Sequence, residues 1–151
     1  GDGSSKLDIL VEECDSIDVK ILSRVKAREK RIPVVMDTND RGMLDVERFD
    51  LGPERPIFHG NLNEDIDLTK LKDLTSKEKL PVLDAMVNLS ALSDRMKYSL
   101  SEMGKSINTW PQLASSVMLG GAMVTDTCRR ILLSETTSSG RYYVDFSELI
   151  K

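Results

Sequence analysis

The sequence predicts an α/β chain, a mainly parallel sheet in a three-layer arrangement with a helical insertion and a long C-terminal helix. Three observations predict it. An apolar run, an amphipathic stretch and a second apolar run follow one another closely between Leu7 and Met36. The segment from Leu83 to Met103 keeps a helical rhythm throughout. A single apolar stripe then runs from Leu113 to Ile131, ahead of a β-branched and aromatic segment. Strand–helix–strand units with short connections pair their strands in parallel.

The 151 residues suggest one domain, and 40% hydrophobic residues supply a core. Aromatics are only 5%, so Leu, Ile, Val and Met must do most of the packing. A net charge of −4 argues against a nucleic-acid partner, because phosphate binding needs a basic surface. Cys14 and Cys128 form no CxxC pair, which argues against a zinc site or a disulfide framework and suits two buried thiols in a reducing cytoplasm. No stretch reaches the roughly 20 apolar residues of a membrane helix, so no membrane partner is expected. Gly1 to Ser5 is polar and lacks the apolar core of a signal peptide. Residues 1–6 read as a tag or linker and 7–151 as the domain.

Each element has its own signal. Leu7 to Val11 suits a strand buried on both faces. Asp15 or Ser16 offers an N-cap to a helix reaching about Lys30. Ile17, Ile21, Leu22 and Val25 face its core side, and Lys20, Arg24, Lys26 and Arg28 largely the other. Pro33 opens a strand to Met36, and Asn39-Asp40-Arg41-Gly42 is turn chemistry. Met43 to Phe49 alternates, with Asp45 and Glu47 on one face, and reads as a less protected strand nearer an edge. Leu51 to Asn63 reads as a surface loop.

A helical insertion is expected over about 64–105. Thr75 and Glu78 form a candidate capping box, Pro81 lies near the start, and Gly104 supplies a stop. One kinked helix or two shorter ones fit the rhythm. In the late helix, Thr109 and Gln112 can make a capping box with Pro111 in the first turn. Its stripe of Leu113, Val117, Gly121, Val124, Cys128 and Ile131 is interrupted by Gly120-Gly121. Mid-helix glycine costs about 1 kcal/mol relative to alanine, so close packing against a strand or a partner should compensate. Arg141 to Phe146 reads as a closing strand.

The order of these elements resembles the second half of ThiF, MoeB and HesA domains, the Rossmann-like adenylating fold of ubiquitin-activating enzymes. Glu12-Glu13-Cys14-Asp15-Ser16 resembles the family's D-x-x-D-N signature, with Asp15 on the second Asp, Ser16 in place of Asn and Glu12 in place of the first Asp. Pro33-Val34-Val35, Arg41-Gly42 with Met43 to Phe49, and Leu113 to Leu133 followed by Gly140 to Phe146 resemble later family elements. The resemblance covers Leu7 to Asp50 and about Ser106 to Leu149, leaving the helical stretch between them aside.

The resemblance implies ATP-dependent adenylation of a carboxylate on a small protein or small molecule. It places ATP and its magnesium at Asp15, in the complete domain only, with Ser16, Lys20 and Arg41 as further nucleotide-site candidates. The family's G-x-G-x-x-G loop has no counterpart here, because Gly120-Gly121 sits inside a helix and not after a strand. The chain by itself is therefore expected to be inactive, and no residue is assigned as catalytic. The family's zinc-binding cysteine pairs are missing too. A homodimer, the remainder of a longer polypeptide and a small acceptor protein are the partners this reading implies. A non-catalytic interaction or dimerisation module is the alternative, and NAD- or FAD-type dinucleotide binding the third.

For individual residues a simpler account stands beside the functional one. Asp15 can be a helix N-cap, Lys20 a solvated helix lysine and Arg41 a turn residue in solvent. His59, the single histidine, lacks a G-x-S-x-G partner and reads as a packed or hydrogen-bonded loop residue. Ser76 to Lys79 matches S-x-x-K by letters alone.

Overall fold

The computed structural model describes residues 6–63, 70, 76–109 and 111–151. Its strands are β1 (Leu10–Val11), β2 (Val34–Thr38), β3 (Met43–Glu47) and β4 (Gly140–Tyr143). Its helices are α1 (Ile17–Lys30), α2 (Ser76–Val87), α3 (Asp94–Glu102), α4 (Ala114–Leu132) and α5 (Phe146–Leu149). Short 3-10 turns occupy Ile57–Gly60 and Leu89–Ala91. The sheet order is β1-β2-β3-β4.

The expected α/β class is found, but the sheet is not mainly parallel. β1 and β2 are parallel, with Leu10 opposite Val34, whereas β2–β3 and β3–β4 are antiparallel. The connection decides this. Four residues join Thr38 to Met43, which suffices for a hairpin, whereas a parallel return needs a crossover of a dozen or more. Arg41 and Gly42 both take positive φ there, +54 and +55. Gly42 is required a second time, because a Cβ would lie 2.4 Å from the Val144 carbonyl.

Period-2 alternation sends neighbouring residues of β2 into different cores. Val34 joins Ile21, Phe49, Phe58, Val82 and Met86 on the α1–α2 side. Val35 joins Leu44, Val46, Val124 and Ile131 on the α4 side. β3 is not an edge strand: it lies between β2 and β4 and all five residues are buried. Its polar face is satisfied by buried ion pairs and a histidine hydrogen bond. Asp45 meets Arg141 at 2.7 Å and His59 at 3.2 Å, and Glu47 meets Arg24 at 2.7 Å. His59 is the hydrogen-bonded loop residue expected of it.

Arg24 departs from its expected solvent face. It is fully buried, lies 4.2 Å over the Phe58 ring and also reaches Glu12 at 2.7 Å. α1 otherwise keeps its expected bounds, with Ser16 as N-cap and Arg31 closing it in the left-handed region. The first strand is shorter than expected, beginning at Leu10.

The helical segment resolves into two helices, α2 and α3, the second capped by Ser93, whose Oγ accepts from the Met96 amide at 3.1 Å. Gly104 follows the end of α3 with a φ of +77. The Thr75–Glu78 box lies outside the described residues. The Thr109–Gln112 box is not formed, because α4 starts only at Ala114, with Leu113 at its N-cap. The closing strand ends at Tyr143, where Asp145 caps α5 by accepting from the Ser147 amide at 2.9 Å.

Candidate functional site

The residues after β1 and β2 stand side by side, and the start of α1 rises between them. Ligands in open α/β sheets gather at the carboxyl ends of parallel strands. A cavity of about 510 Å³ opens there. Glu13, Cys14 and Asp15 come to it from the end of β1, Ile17 and Lys20 from α1, and Met36 to Asn39 from β2 and its turn. Leu83, Met86 and Val87 of α2, Gln112, and Val117 and Gly121 of α4 complete the lining. The volume is in the usual range for a small-molecule pocket.

Of the four candidate residues, the cavity brings Asp15 and Lys20 together. Asp15 is exposed at the lip, and among the described residues its carboxylate has no hydrogen-bond or ion-pair partner. It is not the helix cap, a place taken by Ser16. Ser16 makes no side-chain cap bond either, since its hydroxyl goes to Asp18. Lys20 is not simply solvated: its Nζ lies 3.1 Å from both oxygens of Glu12. Arg41 stands apart from the cavity and is engaged. Its Nε donates to Asp145 at 2.7 Å and its Nη1 to the Ala91 carbonyl at 2.9 Å.

Glu12 supports the wall from behind. Burial pushes its carboxyl up, but the hydrogen bonds from Cys14 and Arg24 and the charges of Lys20 and Arg24 outweigh burial and hold it below the usual range. Burial, followed by its hydrogen bond to Glu12, pushes the Cys14 thiol up, which disfavours a thiolate nucleophile at the cavity.

Sequence reasoning passed over the acid pair at the centre of the wall. The Asp37 amide donates to Glu13 Oε1 at 3.0 Å. Burial and the neighbouring Asp37 carboxyl together push Glu13 up to about 7, and burial pushes Asp37 up as well. A signal did exist, since Asp37 follows the apolar run Val34-Val35-Met36 at the carboxyl end of β2. Gly120 fixes the pair from the other side: a Cβ at Gly120 would lie 1.9 Å from Asp37 Oδ2. The close-approach glycine of α4 is thus Gly120 and not Gly121, which has nothing within 4 Å of a built Cβ.

Among the described residues, no group of three or more His, Cys, Asp or Glu is placed to hold a metal ion. None of the described helices is long and apolar enough to cross a membrane.

No family model matches the chain, and no solved structure matches it. The chain is similar to a Mycobacterium tuberculosis (strain CDC 1551 / Oshkosh) protein whose printed name is "Uncharacterized protein MT1398", at 46% identity over 141 residues, or 93% of this chain. It spans about a fifth of that relative's length.

Proposed function

We propose that this chain is the second half of a ThiF-type adenylating module, which works with further segments of a longer polypeptide. The observation that carries the reading is Asp15, without a partner among the described residues, at the lip of a cavity on the carboxyl ends of β1 and β2. The order of elements and the Glu12-to-Ser16 signature support it. The relative, whose chain extends far beyond the matched segment, bears on the longer polypeptide alone.

The donor set fits a nucleotide-borne magnesium ion better than a metal bound by protein alone. Magnesium is commonly held through one or two carboxylates together with phosphates. Asp15 supplies one such carboxylate, and no three-ligand group is present among the described residues. When bound, the ion would neutralise phosphate charge while a substrate carboxylate displaces pyrophosphate from ATP. This chain's own residues would position that ion and wall the cleft, and the phosphate cradle belongs to the glycine-rich loop the sequence lacks. Within this reading Lys20 is less a free phosphate ligand than a group shared with Glu12.

The test is ATP–pyrophosphate exchange by the full-length protein that carries this segment. Asp15→Asn should abolish exchange and leave the circular dichroism spectrum and the melt unchanged. Unchanged exchange would remove Asp15 from the site, and no exchange by the parent protein with a range of carboxylic acids would end the adenylation reading.

A second reading, a non-catalytic interaction or dimerisation module, draws on the open edge of β1, where Leu7 and Val11 are half exposed. Unpaired strand edges tend to recruit another chain.

A further inference from the structure

The cavity has an apolar floor and an acidic wall. Met36, Leu83, Met86 and Val117 supply the floor, and Glu13, Asp15 and Asp37 the wall. Lys20 is the cation among the lining residues, and its ammonium is already shared with Glu12. Three carboxyl groups therefore face one committed ammonium. An occupant with an anionic head and no cation of its own would meet net repulsion, and a purely apolar one would leave the acids desolvated with no counter-charge.

The acid pair is also held in place. The Asp37 amide bonds Glu13, and the absent side chain of Gly120 lets the α4 backbone press against the Asp37 carboxylate. Around the pair, Asp15, Asn39 and Gln112 line the cavity with no side-chain hydrogen bond to another described residue. These three groups are free to receive a polar head or its substituents.

We propose that this cavity binds a small primary amine with an apolar body, its ammonium seated between the carboxyls of Glu13 and Asp37 and its chain over Met36, Leu83 and Met86. An ammonium has three donors, and the paired carboxylates can accept them. The cavity volume suits a compact molecule and not a polymer segment. The assignment rests on the cavity lining and not on adenylation, so either can fail without the other.

The other charged groups facing the pair are Lys20 from α1 and Asp15 from the β1–α1 connection. From α2 and α4 the lining is Leu83, Met86, Val87, Val117 and Gly121, all uncharged.

Calorimetry on this chain tests the proposal with n-hexylamine as the probe and hexanoate and hexanol as controls. Hexylamine should bind saturably with one site, and at least about tenfold more tightly than either control, since ion pairing in a partly desolvated pocket discriminates by charge. The Glu13→Gln/Asp37→Asn chain should bind it at least about tenfold more weakly while keeping its circular dichroism spectrum. Should that variant unfold, Met86→Gln, which leaves the acids in place, should weaken hexylamine more than methylamine. Hexanoate binding as tightly as hexylamine, no saturable binding up to about 10 mM, or folded variants with unchanged affinity would overturn the assignment.

Discussion

Arg24 is the place where one substitution should cost most. Its Nε donates to Glu47 and its Nη1 to Glu12, each at 2.7 Å, and its side chain is wholly buried. Burial lowers the affinity of such a guanidinium for its proton, yet Glu47, Asp45 and Glu12 more than restore it. Arg24→Met keeps the volume roughly and removes the charge, leaving two carboxylates without their common partner. Breaking a buried pair from one side costs about 3–5 kcal/mol. The loss should sit near the lower end, about 3 kcal/mol, because Glu12 keeps Lys20 and Glu47 keeps the Phe58 amide at 2.6 Å. For a chain of this size that is a fall in Tm of roughly 6–12 °C. The loss should also depend on pH. In the parent, Glu12 is held below its ordinary 4.5, so its contribution is present above that pH and lost below it. Burial already pushes Glu47 up in the parent, and the variant removes the lowering charge of Arg24 from both acids, so the gap between the two proteins widens as pH rises above about 4.5. Urea unfolding followed by circular dichroism at about pH 5 and pH 8 measures both effects. Adding Glu47→Gln to the variant should recover part of the loss, since it removes one stranded charge. A loss under about 1 kcal/mol, or one equal at both pH values, would refute the argument that this charge cluster is both buried and mutually dependent.

The adjacent glycines of α4 should respond in opposite directions to alanine. Gly120→Ala should destabilise by about 2 kcal/mol through the clash with Asp37, and Asp37→Ala should relieve most of it. Gly121→Ala should stabilise by up to about 1 kcal/mol, because it meets nothing and gains helix propensity. Equal effects in a denaturant titration would show that the α4 face is assigned wrongly. Glu13 should make the fold less stable as pH rises from 4.5 to about 7, since its folded value lies above its ordinary one and the folded chain binds more protons. Its exposure to solvent reduces the effect to roughly 1 kcal/mol. Glu13→Gln should flatten that slope, and an unchanged slope in thermal melts would show that the Glu13 carboxyl is not pushed up in the folded chain.

Periodicity was a better guide than polarity wherever the two disagreed. Arg24 lies three residues after Ile21 and seven after Ile17, on the buried stripe of α1. Its charge suggested solvent, because its partners Glu12 and Glu47 lie 12 and 23 residues away and cannot be seen from the helix alone. β3 repeats the case: alternation marked one face with Asp45 and Glu47, and polarity suggested an edge. The strand is internal because Arg24, Arg141 and His59 converge on that face from three other segments. In α4, Val124 and Ile131 were legible, yet the stripe turns slightly to include Gly120 and Thr127. Only the position of Asp37 across the gap distinguishes Gly120 from Gly121, and that is a contact between residues 83 apart.

The same charge cluster connects the fold to the cavity. Glu12 takes Arg24 on its buried side and Lys20 on the cavity side, and it accepts the Cys14 amide at 2.9 Å. It thereby sets where the chain turns after β1, and so where Glu13 and Asp15 point. Asp45 ties Arg141 of β4, whose Nη2 reaches the Ala85 carbonyl of α2 next to the floor residue Met86. The wall and the floor of the cavity therefore hang on one set of buried ions. A polar network of this kind is a costly way to gain stability, because each ion must first leave water. What it supplies is direction: each carboxylate fixes a guanidinium or ammonium at one angle, which apolar packing of the same volume would leave free. If the cluster serves geometry in this way, variants that replace all of its ions by well-packed apolar groups should lose ligand contacts at the cavity sooner than they lose the fold.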